Sequence, residues 1–279
     1  INGVRRWIDF GPINIQPSEI AKFAVVLAFA HLISKYAAQK KNQMLTFKHG
    51  VLPFLLILGS VSAFMIKEPH LSGTILILSI GCIMMFIGGT RKRWFIMGIS
   101  LVGAALLAMV LFTNIIVYAK NRLVYWIDPF KDPQHHGWQT IQSLYAIGSG
   151  GVMGLGLGNS RQKYLYVSEP QNDFVFPILC EELGLVGAVI LMILFALLVW
   201  RGYVIAMRAP DRFGSLMAVG LTTQVGLQAI LNIAVTTNTI PNTGISLPFF
   251  SYGGSSLLML LFQMGIILSI SRYSSIEQT

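Results

Sequence analysis

Charge is what this sequence has least of. Only 11% of its 279 residues are Asp, Glu, Lys or Arg, and only 11 are acidic, where a soluble domain carries about 25% charged residues. With 54% hydrophobic residues and a mean hydropathy of +0.67, that scarcity excludes an ordinary cytosolic enzyme and a disordered chain. Cysteine is scarce too. Cys82 and Cys180 lie in or beside apolar runs and read as buried spare thiols, not as a disulfide or a metal site. No set of His, Cys or acidic residues has metal-ligand spacing, and no repeat of roughly 20–50 residues is visible.

What is present is apolar sequence in continuous runs. A membrane barrel would alternate apolar and polar positions, so helices are expected. A spanning helix needs about 20 apolar residues, and the length leaves room for roughly seven of them plus loops. The runs place them at about Pro17 to Tyr36, Val51 to Ile66, Leu71 to Ile87, Trp94 to Asn114, Asp173 to Tyr203, Ser215 to Thr236 and Ser255 to Ile270. Between them fall a large loop over 115–172 and a Pro/Gly-rich loop over 238–254. The expectation is an all-α integral membrane protein, one polytopic domain over 1–279, without nucleic-acid partners. Its net charge of +9 belongs to basic loops on one face of the membrane.

Lys35, Lys40, Lys41, Lys48, Arg91, Lys92, Arg93, Arg201, Arg208, Arg212 and Arg272 share one side, with only Asp211 and Glu277 as acids. That side is expected to be cytoplasmic. The two large loops and the N-terminal segment then face outward. The first residue is Ile1 and no signal peptide precedes it, so an odd number of upstream helices is expected to be missing.

The candidate chemistry sits in the outer loops. Residues Gln139 to Ile147 suit an amphipathic helix lying at the interface. Gly154, Gly156 and Gly158 precede Arg161 and Lys163. Glycines there admit positive φ in a flexible loop, or let backbone N–H groups cradle an anion that the cations complete. Glu169 and Asp173 stand four apart beside a helix start. Asp173 there is a cap for the positive helix end, a general base, or both. Glu181 and Glu182 fall two turns into the fifth helix, where acids are costly and need a cavity, a cation or burial in protein. Glu19 and Lys22 are spaced to pair on one face of the first helix. Gln224, Gln228 and Asn232 form one polar stripe, for interhelical hydrogen bonds or a substrate path. His31 reads as structural.

These motifs together resemble the SEDS family (shape, elongation, division and sporulation) of FtsW/RodA type. The resemblance runs over essentially the whole chain. It is carried by Asn2-Gly3 through Arg6-Trp7-Ile8, Gln16-Pro17-Ser18-Glu19 with Lys22, Arg122 through Pro129-Phe130, and Gly150-Gly151 through Gly158. It continues in Glu169 through Asp173-Phe174, Glu181-Glu182-Leu183-Gly184, and Pro241-Asn242-Thr243-Gly244 through Ser255-Ser256. The division and sporulation branch is the nearer match.

The resemblance implies a ten-helix membrane fold of which helices 4–10 are here, with a large structured extracellular loop. It implies a peptidoglycan glycosyltransferase that polymerises lipid II, with an active site on the extracytoplasmic face of the cell membrane. The implied partners are a class B penicillin-binding protein and other division or elongation proteins. Asp173 matches the family's outer-loop aspartate and is expected to be the catalytic base. Glu169, Arg5, Arg6, Glu19, Lys22, Arg122, Arg161, Lys163, Ser251 and Ser255 are the expected substrate-binding residues. No cofactor is required, although a divalent cation, Mg or Mn, would suit the pyrophosphate. Two positions depart from the pattern: Pro69-His70 stands where many members have Pro-Asp, and Thr243 where some division members have lysine. A lipid II flippase and a non-catalytic division scaffold are the alternatives.

Overall fold

A computed structural model of the chain describes residues 8–9, 14–39, 43–67, 71–100, 124–134, 137–163 and 171–273. Apart from a two-residue antiparallel ribbon pairing Ile8 with Ile15 and Asp9 with Asn14, the described regular structure is helical. The principal helices are α1 (Pro17–Gln39), α2 (Phe47–Gly50), α3 (Leu52–Lys67), α4 (Leu71–Ile87), α5 (92–100), α6 (Trp138–Ser149), α7 (Val175–Met207), α8 (Arg212–Thr236) and α9 (Gly254–Arg272). Five segments among the described residues are long and apolar enough to cross a membrane: α1, Phe47–Met65, α7, α8 and α9. Helix α4 has the expected bounds but is short for a span. Most of the expected Trp94 to Asn114 helix lies outside the described residues.

Hydrocarbon explains why these sequences stay helical. A helix satisfies its own backbone where no water can, and its apolar side chains can face lipid. Leu56, Phe64, Leu194, Leu258 and Leu268 are all more than half exposed. Helix α8 differs: 72% of its apolar window is buried, against 22–33% in the other spans, so protein covers most of it.

The chain divides into two compact units. One comprises Ile1–Ile96, Leu197–Leu227 and Gly253–Thr279. Small residues let its helices approach closely, as in membrane bundles generally. A Cβ on Gly81 would press on the Leu58 side chain, and one on Gly220 would meet Val26 and Met84. Phe29 packs edge-on against Phe54 at 4.8 Å, and Tyr203 and Thr223 share a hydrogen bond of 2.8 Å. The other unit comprises Met97–Ala196 and Gln228–Tyr252, and it gathers the outer-loop motifs.

The apolar run predicts one continuous helix from Asp173 to Tyr203. Instead α7 is broken at Gly184 (φ 66, ψ −167). Residues 185–207 alone rise about 35 Å, enough for the roughly 30 Å hydrocarbon core. Glu181 and Glu182 thus belong to a short helix ahead of the break.

Candidate active site

Asp173 lies in a turn over 171–174 that leads into α7. Three successive carbonyls of that turn are gripped by the Gln228–Tyr252 segment. The Tyr252 N–H donates to Gln171 at 2.7 Å. The Ser251 hydroxyl donates to Asn172 and itself accepts the Leu247 N–H at 2.7 Å. The Asn232 amide donates to Asp173 at 2.8 Å and also to Ile245. Asn232 is fully buried, so its amide works in a low dielectric, where it cannot exchange these carbonyls for water. The backbone of the half-buried Asp173 is thereby held at three successive carbonyls. A Cβ on Gly244 would come 2.9 Å from Asp173 Oδ2, and Gly244 has φ +61. Glycine suits that conformation, and a Cβ there would push on the Asp173 carboxyl.

The floor of this region is braced in the same way. Trp126 Nε1 donates to the Asn238 carbonyl and Asn238 Nδ2 to the Trp126 carbonyl, at 3.0 and 3.1 Å. Helix α6, where the amphipathic pattern placed one, sends the Ser143 hydroxyl to the Thr236 carbonyl at 2.6 Å. Gln139 Oε1 accepts from Asn242 at 2.9 Å. Gln228 Nε2 holds the carbonyl and hydroxyl of Ser246. Two members of the polar stripe, Gln228 and Asn232, therefore anchor the second loop.

The glycine motif explains itself against the broken helix. At the Gly184 break the carbonyls of Glu181 and Glu182 accept the N–H groups of Leu155 and Gly156. In return the N–H groups of Leu185 and Val186 donate to Gly151 and Val152. Backbone meets backbone, so side chains do not fit: a Cβ on Gly154 would strike the Glu182 carbonyl, and one on Gly150 the Cys180 carbonyl. Gly151, Gly154, Gly156 and Gly158 all have positive φ.

The next residues do cradle an anion, and the anion is the protein's own. Glu181, 1% exposed, accepts from the Ser160 hydroxyl and from the N–H groups of Arg161 and Gln162. Glu182 accepts from the Ser160 N–H at 3.3 Å and from Lys163 Nζ at 3.0 Å. Lys163 Nζ also reaches the Gly158 carbonyl at 2.6 Å. Lys163 is thus tied to Glu182, whereas the exposed Arg161 side chain leaves its guanidinium to solvent while its backbone is pinned.

In the other unit, Glu19 and Lys22 form a buried pair at 2.8 Å on α1, each about 5% exposed. The Ser255 hydroxyl accepts the Gln16 N–H at 3.3 Å, tying the start of α9 to the start of α1. Asp173, Ser251, Arg161 and Lys163 therefore share one unit, and Glu19, Lys22 and Ser255 the other. Arg5, Arg6, Arg122, Glu169 and Pro69-His70 lie outside the described residues. Sequence reasoning gives Gly184 and Gly244 no structural role of their own and does not identify Asn232 as the support of Asp173. The only sequence signal for Asn232 is its place in the i, i+4, i+8 stripe. Among the described residues no group of three or more His, Cys, Asp or Glu could hold a metal ion.

Comparison with known proteins gives a concordant result. The family model for FtsW, RodA and SpoVE, described as cell cycle protein, matches residues 1–276. The chain is 42% identical over 274 residues to stage V sporulation protein E of Bacillus subtilis, covering 98% of this chain and 73% of that protein. It is 36% identical over 269 residues to a probable peptidoglycan glycosyltransferase FtsW of Geobacter metallireducens, covering 96% and 70%. A chain of a peptidoglycan synthase complex, solved to explain how polymerization and crosslinking are coordinated, superposes with a TM-score of 0.75 at 28% identity, covering 99% of this chain and 76% of that one. The rod shape determining protein RodA of Thermus thermophilus superposes with a TM-score of 0.64 at 26% identity, covering 99% and 71%.

Proposed function

Because this chain belongs to the FtsW/RodA/SpoVE family of cell cycle proteins, we propose that it is a multi-pass membrane peptidoglycan glycosyltransferase that polymerises lipid II at the extracytoplasmic face. The observation that carries the catalytic assignment is the three-carbonyl grip on the turn of Asp173. Holding a reactive residue's backbone rigidly narrows the space its carboxyl can sweep, and orientation is a large part of enzymatic rate.

In the proposed reaction Asp173 takes the proton of the acceptor sugar's 4-hydroxyl as that oxygen attacks C1 of the donor. The C1–O bond to pyrophosphate breaks, its electron pair leaves with the pyrophosphate, and C1 inverts. Pyrophosphate leaves without strong acid help, so one carboxylate suffices where a glycosidase needs two. Cations stabilise the departing charge. Of those expected here, Arg161 is the better candidate than Lys163, whose ammonium is already balanced by Glu182. Arg5, Arg6, Arg122, Glu169 and the Glu19–Lys22 pair remain part of the proposed substrate path. A Mg or Mn ion would enter on the substrate's phosphates rather than in a protein cage. The proposed partner is a class B penicillin-binding protein, which cross-links the product strands.

The flippase alternative needs a polar route across the bilayer. Its sequence support is the Gln224–Asn232 stripe, and two of those side chains are engaged in holding loop backbone. The deciding experiment uses the full-length protein with its penicillin-binding partner and purified lipid II. Asp173→Asn is expected to abolish glycan polymer while folding and partner binding persist. Wild-type polymer from that variant would refute the base assignment and favour the flippase or the scaffold.

A further inference from the structure

Arg201 is an unusual residue for a helix in lipid. It lies on α7 six residues before the helix ends at Met207, about 9 Å along the axis. Its side chain is exposed and makes no hydrogen bond or ion pair with any described residue. A guanidinium at such depth is costly unless it snorkels or meets an anion. Beside it the helices α7, α8 and α9 enclose a cavity of about 200 Å³, lined by Arg201, Gly202, Thr222, Val225 and Ile267 among others. The lining is almost wholly apolar and falls within one compact unit. Gly202 and Thr222 meet so closely that a Cβ on Gly202 would strike the threonine hydroxyl. That hydroxyl is buried and has no hydrogen-bond partner among the described residues. The end of the helices nearest the cavity carries further arginines, Arg208, Arg212 and Arg272.

We propose that this cavity is a binding site for an anionic glycerophospholipid, drawn from the leaflet on the arginine-rich side. One acyl chain would fill the apolar cavity and the phosphodiester would sit on Arg201. The single fixed charge on the wall is a cation, so it selects anionic over zwitterionic head groups, and basic pockets between spanning helices are a recurrent place for such lipids. A polyprenyl phosphate has the same phosphate-and-chain chemistry. The glycerophospholipid is favoured because the cavity lies at the opposite end of α7, in sequence, from Asp173. The proposal concerns binding alone and stands apart from the catalytic reading.

Native mass spectrometry of the full-length protein in mild detergent tests it, with phosphatidylglycerol, phosphatidylethanolamine and undecaprenyl phosphate offered in turn. Phosphatidylglycerol is expected to be retained in preference to the other two. Arg201→Gln should weaken its retention about fivefold, the loss of one cation worth about 1 kcal/mol at a lipid surface, and leave phosphatidylethanolamine unchanged. Val225→Phe should narrow the cavity and weaken retention of the adduct although Arg201 is intact. If that variant misfolds, the exposed Arg201 position still decides the matter. Equal retention of the two phospholipids, retention indifferent to Arg201→Gln, or displacement by undecaprenyl phosphate at equal concentration would each overturn the proposal.

Discussion

Replacing Asn232 with alanine removes one amide that donates to two carbonyls, those of Asp173 and Ile245. A neutral hydrogen bond contributes about 0.5–1.5 kcal/mol net, and interhelical bonds in membrane proteins average about 0.6 kcal/mol. Two of them come to about 1–3 kcal/mol. That is small beside the roughly 5–15 kcal/mol that holds a folded protein together, so the bundle should survive. It is large for one turn, whose other ties include the Ser251 and Tyr252 bonds. If the loss falls on the geometry of Asp173, glycan polymerisation should slow by about 5–150-fold. The assay is polymer length and rate from lipid II with the purified full-length protein and its partner, alongside a melting curve. Asn232→Asp keeps the shape but presents oxygen to two carbonyls, so its defect should be at least as deep. Polymerisation by Asn232→Ala at the wild-type rate, with melting unchanged, would refute the idea that Asn232 positions the base. Activity lost only in step with the folded fraction would reduce Asn232 to a stability residue.

Three further outcomes are expected. Gly154→Ala and Gly184→Ala each put a Cβ into opposing backbone at positive φ, and strain alone costs about 1–3 kcal/mol; both should lower the yield of monodisperse protein on size exclusion, whereas Gly148→Ala, in open space, should not. Glu181→Ala strips three donors of their acceptor, at about 1.5–3 kcal/mol for each bond to a charge; trypsin should then cut at Arg161 and Lys163 faster than in wild type, and unchanged cutting would count against the loop anchor. Lys22→Ala leaves Glu19 charged and buried, at about 3–5 kcal/mol; the double variant Glu19→Gln with Lys22→Met should melt above Lys22→Ala, and strict additivity of the two changes would deny the pair.

Much of the site is legible in local spacing and pattern. The Glu19–Lys22 spacing corresponds to a buried ion pair, the amphipathic stretch to α6, and the glycine run to a turn-rich segment with four positive φ values. Partnership at long range is not legible in this way. Gly184 sits in an apolar run that propensity reads as unbroken helix, and only the arrival of residues 151–156 gives its freed carbonyls and N–H groups somewhere to bond. Glu181 and Glu182 read as acids stranded in a span for the same reason. The glycine loop also suits an external anion, and the fold fills that place with its own carboxylates.

The sequence by itself determined the solvent this chain folds in, its helical class and its family. Those follow from composition, run length and local motif, which need no knowledge of distant contacts. Tertiary structure alone decided where α7 breaks, which loop the two glutamates hold, and that Asn232, Ser251 and Tyr252 meet the turn of Asp173. Each of those is a hydrogen bond between residues tens of positions apart, and a backbone carbonyl carries no trace in the sequence of which donor will find it.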